Sequence, residues 1–180
     1  MKKYVLACIG SIIVIAGLVY FFNSDKTSIN TENQLSKAPT IYKSAWVEIT
    51  RGTLFLKLPG QKKKKKNGDT VESGSALETG KNSVATIHMP DGSLLSMDKE
   101  TSLTLSDINF QLENKTLSVK VGLNVGRVWS KVISLATVES EWEVKTSNTV
   151  ATVRGTAFGM SFKNGTSWVN ASENNVAVTP

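Results

Sequence analysis

Chemistry-bearing side chains are scarce in this sequence. The 180 residues include one cysteine, Cys8, and one histidine, His88. Cys8 lies within an uncharged apolar run, so the remainder of the chain can form neither a disulfide nor a reactive thiolate. A single histidine with no accompanying cysteine excludes a transition-metal site, and no acidic calcium-loop pattern occurs. There is no nucleophile triad, no phosphate-binding loop and no dinucleotide fingerprint. No metal or cofactor is therefore expected. Sustained helical periodicity is missing as well, apart from the apolar run itself.

That run, "YVLACIGSIIVIAGLVYFF" at 4–22, has nineteen residues without a charge. It matches the ~20 residues a helix needs to cross a bilayer core. Lys2 and Lys3 precede it, which places residues 1–3 in the cytoplasm by the positive-inside bias. The competing reading is a cleaved signal peptide; the run is longer than a usual signal core, and "VYFFNSDK" lacks a small-residue cleavage site. A signal anchor at 4–22 is expected. Residues 23–44 are polar and carry few apolar anchors, so they read as a tether with a reach of roughly 25 Å. Residues 45–180 would then form one domain outside the cytoplasm, periplasmic or at the cell surface, large enough to build its own core.

The formal net charge of +6 is local. Lys2, Lys3 and Lys62 to Lys66 account for seven of 21 basic residues, and the remaining 14 face 15 acidic ones. The domain is near neutral, with one basic stretch. No aromatic residue is interleaved with those lysines, so specific nucleic-acid recognition is not expected.

From Ala45 onward the apolar period is two. "WVEITRGTLFLKL", "SVATIHM", "TSLTLSDINFQL", "LSVKV" and "ATVESEWEVKTS" each read as strands, with a register slip at Ser106-Asp107. Turn signals separate them: Pro59-Gly60, Asn67-Gly68, Pro90-Asp91-Gly92, a four-residue loop at Glu113 to Thr116, and Asn164-Gly165. The expectation is all-β: many short strands in an elongated roll, a solenoid-like stack or a sandwich, after one N-terminal membrane helix.

Four groups of residues are candidates for function. "TVATVRGTAFGMSF" (149–162) changes phase at Arg154-Gly155: Ala151 and Val153 share one face before it, and Phe158, Met160 and Phe162 share the other after it. A bulge with a buried, fully paired Arg154 would explain the change, with Asp69 or Asp91 as partner. The alternative is a surface arginine that binds a ligand. Lys62, Lys63, Lys64, Lys65 and Lys66 read as a loop tip. That loop is either a docking patch for an anionic lipid or polymer surface, or solvated charge that guards an edge. Glu139, Glu141 and Glu143 alternate along one strand; a glycosidase acid–base pair is the remote reading, and a solvated face paired with Lys120 or Lys131 the plain one. Of the tryptophans, Trp142 shares a face with Val138 and Val144 and belongs in the core. Trp129 alternates with Arg127 and Lys131 and is expected half exposed. Core packing and sugar stacking both remain open for the tryptophans as a group.

The segments "GDTVESGSALETGKNSVATIHMPDGSLLSMDKETSLTL" (68–105), "VGLNVGRVWSKV" (121–132) and "VKTSNTVATVRGTAFGM" (144–160) together resemble the FecR-like domain, named for the periplasmic part of the iron-dicitrate transport regulator. "VRGTAF" is the most specific element, which marks Arg154, Gly155, Thr156 and Phe158, and "PDGS" adds Asp91 and Gly92. The resemblance covers about 45–180. It implies an all-β extracytoplasmic domain acting through protein contacts without catalysis. Two roles follow from it, a binding or scaffold module and a signalling regulator acting through another membrane protein. Residues 1–3 are too short for the cytoplasmic anti-sigma segment of the family's regulators, so direct sigma-factor binding is not expected.

Overall fold

The computed structural model describes residues 44–133, 140–172 and 175–180. The expected stub, membrane helix and tether lie outside the described residues, Ser44 excepted. No helix occurs among the described residues, so none there is long and apolar enough to cross a membrane.

Fourteen strands make up the described part: β1 (Ala45–Arg51), β2 (Leu54–Leu58), β3 (Gln61–Lys64), β4 (Thr70–Val71), β5 (Ala76–Thr79), β6 (Val84–His88), β7 (Leu94–Met97), β8 (Ser102–Gln111), β9 (Thr116–Lys131), β10 (Glu141–Lys145), β11 (Val150–Val153), β12 (Ala157–Lys163), β13 (Thr166–Ala171) and β14 (Ala177–Thr179). They form one hydrogen-bonded network that curls into two sheets. Sheet A runs β4-β1-β6-β7-β9-β12-β13, and sheet B runs β3-β2-β5-β8-β9-β10-β11-β14. β9 belongs to both. Its first part pairs with β8 from Thr116 to Val125, and its last six residues pair with β7 and β12.

The period-two pattern explains why the sheets face each other. Sheet A turns in Val47, Ile87, Leu95, Val128, Phe158 and Met160; sheet B turns in Leu54, Leu77, Leu103, Val119, Trp142 and Val144. All are buried in a single apolar cluster. A face-to-face arrangement of this kind is a sandwich rather than a solenoid, and pairing is antiparallel except between β9 and β10. The slip at Ser106 is present as a register shift between Leu105 and Asp107. The β8–β9 loop is 112–115, one residue earlier than expected, because Gln111 pairs with Thr116.

The chain crosses between sheets at glycines. Gly52 separates β1 in sheet A from β2 in sheet B, with φ +77°. Gly126, φ +103°, marks the point where β9 changes sheets. Gly155, φ +76°, lies between β11 in sheet B and β12 in sheet A. Left-handed backbone of this kind is open to glycine at little cost and turns the strand sharply. Two of the three corners carry the same tripeptide, Arg51-Gly52-Thr53 and Arg154-Gly155-Thr156.

The phase change at Arg154-Gly155 is therefore a change of sheet. Ala151 and Val153 face the core from sheet B, and Phe158 and Met160 face it from sheet A. This corrects two expectations. There is no bulge within one strand, and Arg154 is exposed rather than buried. The physical reason is the corner itself, which swings the residue before Gly155 outward to solvent. The proposed partners are engaged elsewhere. Asp69 accepts from the Lys66 amide at 2.9 Å, and Asp91 accepts from the amide and hydroxyl of Ser93 at 2.8 and 2.7 Å.

Candidate binding surface

The outer face of sheet A carries the most exposed aromatic surface among the described residues. On β9, Arg127, Trp129 and Lys131 alternate outward, while Val128 and Ser130 are buried. Trp168 on β13 points the same way, because it pairs with Ser161, which pairs with Arg127. The next row is Asn170, Gly159, Trp129 and Ser96. Trp129 is 41% and Trp168 55% exposed, whereas Trp142 inside sheet B is fully buried.

Gly159 is what allows Trp129 to lie down. A Cβ at 159 would come within 2.8 Å of Trp129 Cε3 and 3.1 Å of Cζ3. The indole therefore covers the β12 backbone and leaves its other face to solvent. Ser161, the next outward residue on β12, is also small, so nothing tall stands between the two indoles. Strand spacing puts their Cα atoms roughly 12 Å apart. Farther across the sheet, Trp46 stacks on His88 with ring centroids 3.9 Å apart and planes 7° from parallel, and His88 Nε2 lies 2.8 Å from Glu48 Oε2. His88 faces outward as its alternation requires.

The charges on this face are loosely held. Arg127 lies 3.7 Å from Asp98 with its side chain 69% exposed, and Lys131 has no ion pair among the described residues. The outer face of sheet B is different. Glu78 holds Lys62 at 2.6 Å and Lys57 at 3.8 Å, and Glu141 lies 3.7 Å from Lys120.

Lys62 to Lys64 lie in a strand rather than a loop tip, and Lys65 and Lys66 follow it in a loop. Pro59-Gly60 forms a two-residue turn, and Gln61–Lys64 pairs with β2 as the outermost strand of sheet B. Antiparallel pairing after a tight turn absorbed residues whose charge alone suggested a loop. Lys62 is paired with Glu78, and Lys65 folds back to donate to the Thr70 carbonyl at 2.9 Å. Lys63, Lys64 and Lys66 are exposed.

Other residues of the "VRGTAF" and "PDGS" segments serve the frame. Thr156 and Phe158 are buried, and the Thr156 carbonyl accepts from the Val132 amide at 3.0 Å. Gly92 has φ +91° in the β6–β7 turn, and buried Ser93 reaches from there to the Ile133 amide at 3.0 Å. Glu141 and Glu143 lie on the outer face of sheet B, with Glu143 opposite Lys120 in the strand register and Glu141 3.7 Å from the Lys120 ammonium; Glu139 lies outside the described residues. No cluster of His, Cys, Asp or Glu suited to a metal occurs among the described residues. Alternation alone indicates the exposure of Trp129. Trp168 and the Gly159–Trp129 fit emerge only once β12 is paired with both neighbours.

The described residues thus form a two-sheet β-domain with an open aromatic face on sheet A. The FecR protein family matches residues 75–177, more than half of the chain and nearly all of β5 to β14. The chain belongs to that family. No curated protein matches it. Among solved structures it is similar to a candidate anti-sigma factor from Parabacteroides distasonis, with 14% identity and a TM-score of 0.39. That match covers 58% of this chain, and the chain spans half of that protein's length.

Proposed function

We propose that this protein is a membrane-tethered, extracytoplasmic binding module that works without catalysis, through contacts with a protein or polymer of the cell envelope. The observation that carries this reading is the family match across 75–177, which coincides with the strands that build and flank the aromatic face. The apolar run 4–22 supports the tether. Exposed tryptophan with arginine nearby is the composition of binding hot spots. Glu141 and Glu143 stand side by side on one strand face, beside Lys120, instead of opposing each other across a cleft, which argues against glycan hydrolysis. Lys62 to Lys66 act in this reading as a guard on the β3 edge, where lysine discourages pairing with other chains.

A signalling role through a second membrane protein is the other form of the same reading, favoured by the regulatory character of the FecR family. Both forms predict that the full chain, tagged after Pro180, sediments with membranes, resists alkaline extraction and exposes its tag to protease added to spheroplasts, whose outer layers are removed. A tag protected until the cytoplasmic membrane is permeabilised would contradict the topology. Replacing 4–22 by an unrelated span separates the two forms: loss of a cross-linked membrane partner indicates signalling through the helix, and retention indicates docking through the β-domain.

A further inference from the structure

We propose that the outer face of sheet A binds an acidic polysaccharide, with Trp129 and Trp168 as stacking platforms and Arg127 and Lys131 as carboxylate contacts. The inference rests on the binding-module reading and names its ligand class. Three observations carry it.

The first is the form of the aromatic surface. Trp129 lies over Gly159, and the lane to Trp168 is floored by Gly159 and Ser161. A pyranose ring has one flat face of C–H groups and a rim of hydroxyls. An indole lying flat matches the face, as an amphipathic aromatic matches any ligand that is apolar on one side and wet on the other. Trp168, 55% exposed and roughly 12 Å away along an open lane, gives a second aromatic surface, which suits a chain of sugars better than a single one.

The second is the polarity around the indoles. A sugar ring carries hydroxyls around its rim, so residues beside a stacking platform must offer hydrogen-bond partners. Here the same rows carry Ser161, Asn170 and Ser96, which offer hydroxyl and amide groups to a ligand rim.

The third is charge. Arg127 and Lys131 flank Trp129 on the same strand face, with about 13 Å between their Cα atoms. Among the described residues, Asp98 at 3.7 Å from Arg127 is the one ion-pair partner of the two. Guanidinium and ammonium groups so placed complement carboxylates repeating along a polymer. An anionic bilayer is the other partner with this charge, and the test separates it.

The test uses the full chain in nanodiscs of zwitterionic lipid, with polygalacturonate as the probe. Binding is read by pull-down and by tryptophan emission over a salt series. The expected result is saturable binding that weakens as salt rises, falls about tenfold in Trp129→Ala and in Trp168→Ala, and falls similarly in Gly159→Ala, where the added Cβ displaces the Trp129 ring. Lys63, Lys64 and Lys66 changed together to Gln should leave binding unchanged. Circular dichroism and melting of each variant establish that it folds. Equal binding of polyglutamate overturns the proposal, because charge alone would then suffice. Equal binding of neutral hydroxyethylcellulose overturns the acidic part of it. Capture by phosphatidylglycerol vesicles, lost in the same tryptophan variants, assigns the face to a membrane instead. If polygalacturonate fails while a protein cross-links through Trp168 in intact cells, the glycan falls and the binding module stands.

Discussion

The two outer faces of this sandwich solve the same problem differently. On sheet B several outward charges pair with one another: Glu78 takes Lys62 and Lys57, and Glu141 takes Lys120. On sheet A two indoles and two cations are left with little to satisfy them. Their edges differ likewise. β3 ends sheet B with three lysines, while β13 ends sheet A with "TSWVNA", six residues without a charge. Natural sheets blunt their edges when nothing is meant to bind there. The contrast is the reason the proposed binding surface is placed on sheet A.

Variants can sharpen that contrast. The largest effect is expected from Trp142→Ala, which empties the core of sheet B: about 3–5 kcal/mol lost in urea unfolding. The same change at Trp168 should cost no more than about 0.5 kcal/mol, because its ring packs little on the core. Equal losses would mean that Trp168 is structural and the sheet A face is not open. Next comes Gly126→Ala, at the point where β9 changes sheets. Its Cβ would stand 2.5 Å from Thr101 Cα in a left-handed backbone, so a loss of about 2–3 kcal/mol is expected. Glu78→Ala removes the partner of Lys57 and Lys62 from an exposed site and should cost less than about 1 kcal/mol, an effect that shrinks in salt. The smallest effect belongs to Arg154→Ala, within about 0.5 kcal/mol, since the residue is exposed at a corner. A loss of several kcal/mol there would restore the buried-arginine picture that the fold replaces.

Much of the architecture was legible because a two-residue period needs only local sequence. The strands, the slip at Ser106, the PDGS turn, the burial of Trp142 and the outward set of Trp129 all follow from alternation and turn chemistry. What was not legible depends on which sheet a strand joins. Arg154-Gly155 changes the phase of the pattern in the same way whether it is a bulge or a corner. The matching corner at Arg51-Gly52-Thr53 gave the missing clue, since a tripeptide repeated a hundred residues apart, where no shared period exists, marks a repeated backbone task. The lysines misled for a different reason: strand pairing with β2 outweighs the poor strand propensity of lysine at an edge. The sheet A site was half visible. Arg127, Trp129 and Lys131 sit on one strand and could be read together, but Gly159 and Trp168 enter only through pairing across strands.

Hydroxyl-radical footprinting of the tryptophans, in intact envelopes and on the isolated chain, tests the central claim most directly. The account predicts that Trp129 and Trp168 are strongly protected in the envelope and labelled when the chain is isolated, with Trp142 unlabelled in both. Equal labelling of Trp129 and Trp168 in the two states would contradict it, because the face identified as the binding surface would then have nothing bound where the protein works.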